Sequence, residues 1–363
     1  MNIQISTKPY DTEWDAFVNA QPRSHYLQSS LWAQVNAPAG WHCVRVMVRP
    51  SSPERAPDIV GGFQMLLRPV PLLGHIGYVA RGPVLATHDK ALLQTVIQQL
   101  LHTVKTKRVI FLKVQPAYWD DWIAAQLPRH GFRPSTSHAD NVATVLVDLT
   151  QPEDTLLARM NKGLRKSIRR AERKGVVVRQ AHTAEFDTFY QILHQTSVRG
   201  HFAIHNQAYY RHVWEIFDAH HHAALFLAEC EHEPVAAVFL IAFGDTVFAR
   251  FGGWNGKYSS HEPNALLRWT AIRWAKQQGY HWYDFMGIDE HVARKLLFQP
   301  ETVTRADIGG YTAFKLDFGG DVTLSPATYD YAPNHLLQGG LAWLQTHKSL
   351  YERILNMMRG VQS

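Results

Sequence analysis

The stretch from Phe248 to Phe318 limits the folds open to this chain more than any other. It reads FARFGGWNGKY, then NALLRWTAIRWAKQQGY, then HWYDFMGID, and ends in YTAFKLDFGG. The first piece is a β-rich run closed by Gly252 and Gly253. Leu266, Trp269, Ile272, Arg273 and Ala275 follow helical spacing, and Gly279 supplies the stop. Tyr280 to Phe285 reads as a short aromatic strand. Downstream a lone cation, Lys315, stands between Phe314 and Phe318 in a segment bounded by glycines. Strand, loop, helix, strand and then this Phe-Lys pair form the scaffold for a site.

A related order occurs in the first half. Two short helices, 13–20 and 29–36, precede a strand from Trp41 to Arg49, the turn SSPERAPD and a returning strand from Ile59 to Arg68. GHIGYVARGPVL follows, with Gly82-Pro83 marking a turn. Leu92, Leu93, Val96, Ile97, Leu100 and Leu101 give an amphipathic helix over 88–105, which leads to a buried-type strand from Val109 to Val114. A helix near 119–127 and a strand from Thr144 to Asp148 complete this half. The second half opens with one helical segment, 152–174. Helices near 183–198 and 207–219 and strands at 223–230, 234–243 and 246–253 come next, and a last helix covers roughly 336–358. Helix 88–105 with strand 109–114 therefore corresponds to helix 263–278 with strand 281–285. At 363 residues two cores are expected. The element order predicts an α+β chain of two tandem acetyltransferase-like (GNAT) domains, mixed β-sheets flanked by helices, divided as 1–150 and 151–363.

Several classes are excluded. The longest apolar stretch, Ala223 to Phe243, is cut by Glu231, His232, Glu233 and Pro234, so it reads as a hairpin and no transmembrane helix is expected. MNIQISTKPYDTEWD carries Asp11, Glu13 and Asp15 where a signal peptide needs an apolar core. Cys43 and Cys230 are too few and too far apart for a disulfide framework or a metal site, and a cytoplasmic protein is expected. The run His220 to His222 lacks spaced carboxylates and reads as a solvated helix end, so no metal or cofactor is expected. A net charge of +6 leans toward anionic partners. The charge concentrates between Arg159 and Lys174, where eight cations face one acid, Glu172. A solvated face is one reading; Lys162, Arg165 and Arg169 contacting a polyanion is the other.

For chemistry, no Cys/His or Ser/His/Asp grouping and no G-x-S-x-G elbow occurs. A lysine shielded by Phe314 and Phe318 would stabilise an oxyanion strongly, although Lys315 also fits a snorkelling surface residue. Asp284 in YDF is either a general base or a structural hydrogen-bond acceptor. Arg250-Phe-Gly-Gly253-Trp-Asn255 lies where acetyl-CoA enzymes bind pyrophosphate on backbone amides. It ends in Asn255, about ten residues before the helix, which weakens a CoA reading. Tyr78 and Arg81 in GYVARGP either clamp a phosphate or carboxylate or are turn residues.

LQSSLWAQV, GYVARGPVL, TSVRGHF, PNALLRWTAIRWAKQQGYHWYDFMGI and GGYTAFKLDFGG together resemble the Fem (FemABX) family of peptidoglycan interpeptide-bridge aminoacyltransferases. The likeness covers nearly the whole chain, and its last two segments are the specific ones. It implies aminoacyl-tRNA as donor and the stem peptide of a UDP-linked or lipid-linked muropeptide as acceptor, in cell-wall synthesis at the inner membrane face, with no DNA partner. It implies that Lys315 meets the oxyanion while Phe314 packs beside it. Arg199, Tyr78 and Arg81 would contact the acceptor's phosphates or sugar, and Arg250 and Asp284 complete the candidate substrate-binding set. Members often carry a lysine after LWAQV where this chain has Asn36, which bears on acceptor choice. No heptad hairpin follows 152–174, so the arm-less branch is the closer likeness. The spacer HVARKLLFQPETVTRADI reads as a mobile flap. Two rivals remain: an acyltransferase of the same fold drawing on acyl-CoA or acyl carrier protein for a cell-surface polysaccharide, and a non-catalytic RNA-binding module.

Overall fold

The structure is a computed structural model that describes residues 1–51, 58–135, 137–334, 337 and 339. Most of the SSPERAPD turn and of the helix expected at 336–358 lies outside the described residues. The chain divides into two units, Met1–Val142 together with the segment from Ser325, and Ala143–Leu324.

The first unit contains β1 (Asn2–Ser6), α1 (Thr12–Ala20), α2 (Ser30–Asn36), β2 (His42–Arg49), β3 (Gly61–Val70), β4 (Gly74–Ala80), the two-residue β5 (Val84–Leu85), α3 (Lys90–Thr106), β6 (Val109–Gln115), α4 (Asp121–Ala124) and β7 (Arg133–Pro134). Side-chain caps start its helices: Asp11 accepts from Trp14 N at 3.2 Å, Ser29 from Trp32 N at 3.2 Å, and Asp89 from Leu92 N at 2.7 Å. The apolar stripe of α3, from Leu92 to Val104, packs in one core with Val44, Val46, Met65, Leu112 and Val114 of the sheet.

The second unit contains β8 (Ala143–Asp148), α5 (Glu153–Arg159), α6 (Lys162–Arg173), β9 (Val177–Gln180), α7 (Phe186–Gly200), α8 (Gln207–Asp218), β10 (Ala223–Cys230), β11 (Glu233–Phe243), β12 (Thr246–Trp254), α9 (Pro263–Gln277), β13 (Trp282–Asp284), α10 (Glu290–Phe298), α11 (Gly310–Leu316) and β14 (Asp321–Leu324). A final strand, β15 (Tyr329–Tyr331), belongs to the first sheet. The sheet orders are β1-β2-β3-β4-β6-β15-β7, with β5 on β3, and β14-β8-β13-β12-β11-β10-β9. Each sheet has one parallel pair, β4 with β6 across α3 and β12 with β13 across α9, among otherwise antiparallel neighbours. The expected duplicated α+β order, with helix 88–105 corresponding to helix 263–278, is therefore present as two equivalent crossovers.

Two expectations are revised. The division falls at Val142 rather than 150, because β8 pairs beside β13 (Asp148 opposite Trp282) while β15 pairs beside β6 (Tyr329 opposite Val114). Each crossover strand needs a partner for its outer row of amides, and the chain supplies it from beyond the boundary. The single helix expected over 152–174 is two. Met160 is extended at ψ 149°, Asn161 accepts from Gly163 N at 2.7 Å to start α6, and Arg165 Nη1 closes the end of α5 by donating to Leu157 O and Ala158 O at 3.0 and 2.9 Å. The spacer read as a flap contains α10, whose Val292 and Ala293 are buried. Among the described residues no helix is long and apolar enough to cross a membrane.

Candidate active site

In the second unit β12 and β13 pair over three positions only, Thr246 with Trp282, Val247 with Tyr283 and Phe248 with Asp284, and then separate while β12 runs on to Trp254. The carboxyl end of a parallel pair that opens in this way is a common seat for ligands. The Gly252–Gly253 pair lines it. A Cβ on Gly252 would stand 2.5 Å from Arg268 Nη2 of α9, and one on Gly253 would overlap Thr196 Oγ1 of α7. Thr196 Oγ1 accepts the Trp254 amide at 2.9 Å, so the side-chain-free stretch lets two helices reach the strand backbone directly.

Lys315 lies at the end of the short helix α11, not in an extended segment. Its partly buried Nζ donates to Gly287 O at 2.6 Å and to Met286 O at 3.2 Å, and lies 5.6 Å from the centre of the Tyr311 ring. Burial first, then the Arg268 guanidinium, pull the amine down to about 8, against a smaller upward pull from Asp284. Phe314 packs edge-on against Phe318 at 5.3 Å, and Phe318 against Phe285 at 4.8 Å, which fixes the helix that carries the lysine.

Asp284 is 1% exposed and accepts from Thr144 Oγ1 and, at 2.6 Å, from Met286 N. The carboxylate thus holds Met286 in a left-handed conformation at φ 57° and aims the next carbonyls at Lys315. This is the structural alternative for Asp284, whose carboxylate lies out of contact with solvent.

The remaining candidates fall in separate places. Arg199 ends α7, exposed, with its guanidinium 4.9 Å from the Trp254 ring centre, and Arg250 stacks on Phe251 at 4.5 Å beside His205 and Tyr209. His205 is pushed down by burial and then by Arg250. In the first unit the expected phosphate clamp is not formed. Arg81 has no exposed side-chain surface; it pairs with Asp140 at 2.7 Å, donates to Ser325 Oγ and Asn141 O, and lies 4.0 Å from the Tyr118 ring. Tyr78 is buried and donates to Gln115 at 3.2 Å. Asn36 turns back on its own helix, donating to Trp32 O at 2.8 Å. Of the polyanion candidates, Arg165 is the α5 cap described above, whereas Lys162 and Arg169 are exposed and align with Lys166 and Arg173 on one face of α6.

Sequence reasoning passed over Arg268 and Thr144. The signal for Arg268 was present: a cation between Leu267 and Trp269 on a helix apolar around most of its girth, with Leu266, Leu267, Trp269, Ala271 and Ile272 all buried.

Comparison with known proteins gives two family matches. Residues 10–127 match the FemAB family and residues 158–294 match the acetyltransferase (GNAT) domain. The lipid II:glycine glycyltransferase of Staphylococcus saprophyticus is 25% identical over 236 residues, covering 62% of this chain and 56% of that protein. The chain thus spans just over half the length of that curated relative. Among solved structures, the crystal structure of FemX superposes with a TM-score of 0.80 at 19% identity, over 95% of this chain and 100% of that one. A tandem GNAT protein from the clavulanic acid biosynthesis pathway superposes at 0.52 with 10% identity, over 92% and 99%. At these identities the structural likeness establishes the fold, two tandem GNAT-like units.

Proposed function

Starting from a chain that belongs to the Fem family, we propose that it transfers an amino acid from aminoacyl-tRNA to the stem peptide of a peptidoglycan precursor. The observation that carries this reading is Lys315, a partly desolvated ammonium clipped to two carbonyls where a parallel strand pair opens. The acceptor amine attacks the ester carbonyl, forming a C–N bond and placing negative charge on the carbonyl oxygen. Two of the three Lys315 N–H groups meet Met286 and Gly287, and the third donates to that oxygen in a site of low dielectric. Collapse breaks the C–O bond to the ribose, which takes the proton released by the amine. No enzyme nucleophile is required; alignment and charge stabilisation suffice.

The donor reading is supported by the exposed stripe Lys162, Lys166, Arg169 and Arg173, spaced along one face of α6. Arg199, exposed at the end of α7, and Arg250 would meet the acceptor's diphosphate in this reading. A lipid-linked acceptor is supported by the name of the Staphylococcus relatives and would place the chain at the inner membrane face. A second reading, an acyl-CoA or acyl carrier protein donor, is favoured by the acetyltransferase match over 158–294. The test is incubation with a pool of labelled aminoacyl-tRNAs and either UDP-linked or lipid-linked muropeptide. Label on one muropeptide is expected; label only from acyl-CoA would replace the first reading with the second.

A further inference from the structure

Arg268 reaches from α9 to the point where β12 and β13 part, and its guanidinium lies over the Gly252 backbone, with Cζ 3.3 Å from the position of a Cβ there. Among the described residues neither Nε nor Nη1 meets an acceptor, although both are buried. The neighbouring Tyr283 hydroxyl, on a ring with no exposed surface, also lacks a partner in strict hydrogen-bond geometry; burial pushes it up, against a downward pull from the adjacent Arg268 guanidinium. Buried guanidinium groups are normally closed by a carboxylate, as Arg81 is by Asp140. Asp284 accepts from Thr144 and Met286, and Lys315 adds a second cation to the same region. Two cations and unanswered N–H donors at the carboxyl end of a parallel strand pair have the chemistry of an anion seat.

We propose that Arg268 is a substrate-binding residue of this site, taking a phosphate oxygen through its unanswered N–H groups and holding the reacting end of the substrate beside Lys315. The naming of the substrate rests on the transfer reading above; the anion seat itself does not. Both partners in that reading carry the required chemistry, a phosphodiester near the tRNA 3′ end and a diphosphate on the muropeptide precursor. Glycine at 252 belongs to the device, since a side chain there would displace the guanidinium from the strand.

Lys315 can report on its neighbour. Facing its amine are Arg268, Asp284, the Tyr311 ring and the carbonyls of Met286 and Gly287. An anion bound to Arg268 cancels that residue's downward pull. The experiment is competitive acetylation of Lys315 across pH, read by peptide mass spectrometry, with and without inorganic pyrophosphate, on the parent and on Arg268→Gln. The parent is expected to titrate at about 8, to shift upward with pyrophosphate, and Arg268→Gln to start higher and not to shift. Thermal melts confirm folding, and Arg268→Lys, which keeps the charge, gives an intermediate response. An equal shift in Arg268→Gln, or none in the parent, overturns the proposal. A CCA trinucleotide and a UDP-sugar then replace pyrophosphate, and the one that reproduces the shift identifies the source. A shift with pyrophosphate but with neither of these supports the seat while counting against the transfer reading. In the transfer assay Arg268→Gln is expected to raise KM for that substrate about tenfold or more, with a smaller change in kcat.

Discussion

The Asp284 carboxylate accepts the Met286 amide at 2.6 Å, and through that bond it sets the turn on which Lys315 rests. Thr144, from the neighbouring β8, donates to the same carboxylate, so three segments of the second unit converge on one buried acid. Asp284→Asn is therefore expected to destabilise the fold by about 1–3 kcal/mol, because the amide oxygen can still accept both bonds but without the negative charge that strengthens them and faces Lys315. Chemical denaturation checks the loss. Transfer should fall with it, and Thr144→Val should reproduce part of both effects.

Gly252→Ala places a methyl group 2.5 Å from Arg268 Nη2 and 2.9 Å from the Ala237 carbonyl. The guanidinium can swing away, but the strand backbone cannot. A cost of about 1–3 kcal/mol is expected, with loss of transfer beyond what the lost stability explains. Measuring both on one preparation separates the two.

Arg81 is expected to act on stability and not on acceptor affinity. Arg81→Gln leaves the Asp140 carboxylate without its partner in a buried network and should cost roughly 3–5 kcal/mol. At a temperature where the variant stays folded, KM for the muropeptide should match the parent's. A tenfold rise in KM without a change in melting temperature would restore the phosphate clamp.

The contrast between Arg81 and Lys315 marks where the sequence was legible. Helical spacing, with Gly279 as the stop of the second, placed α3 and α9 within a residue or two, and the two crossovers followed from their order. Lys315 was legible because a lone cation among aromatics is unusual. The partners of a buried charge were not, since they lie far along the chain: Asp140 is 59 residues from Arg81, and Thr144 is 140 from Asp284. The exchange of β8 and β15 was invisible for the same reason, as nothing local tells a strand which sheet will pair with it. The break at Met160–Asn161 was legible in principle, through Asn161 as an N-cap, but the run of cations on either side masked it.

The α6 face gives a salt-dependent signature. Each of Lys166, Arg169 and Arg173 replaced by Gln should weaken binding of aminoacyl-tRNA and reduce the slope of log K against log salt by about 1. Arg165→Gln should instead lower stability, through loss of the α5 cap, and leave the slope unchanged. Fluorescence titrations at several salt concentrations distinguish the two kinds of cation.

The most direct test of the central assignment is the single-turnover transfer rate as a function of pH in the parent, Lys315→Ala and Lys315→Arg. Only the protonated lysine donates to the oxyanion, so the parent's rate should fall as pH rises through about 8. Lys315→Ala should lose about 10²–10³ in rate. Lys315→Arg, which stays charged at high pH, should retain part of the rate without the descending limb. A rate in Lys315→Ala within a factor of about two of the parent's, or an unchanged descending limb in Lys315→Arg, would contradict the account.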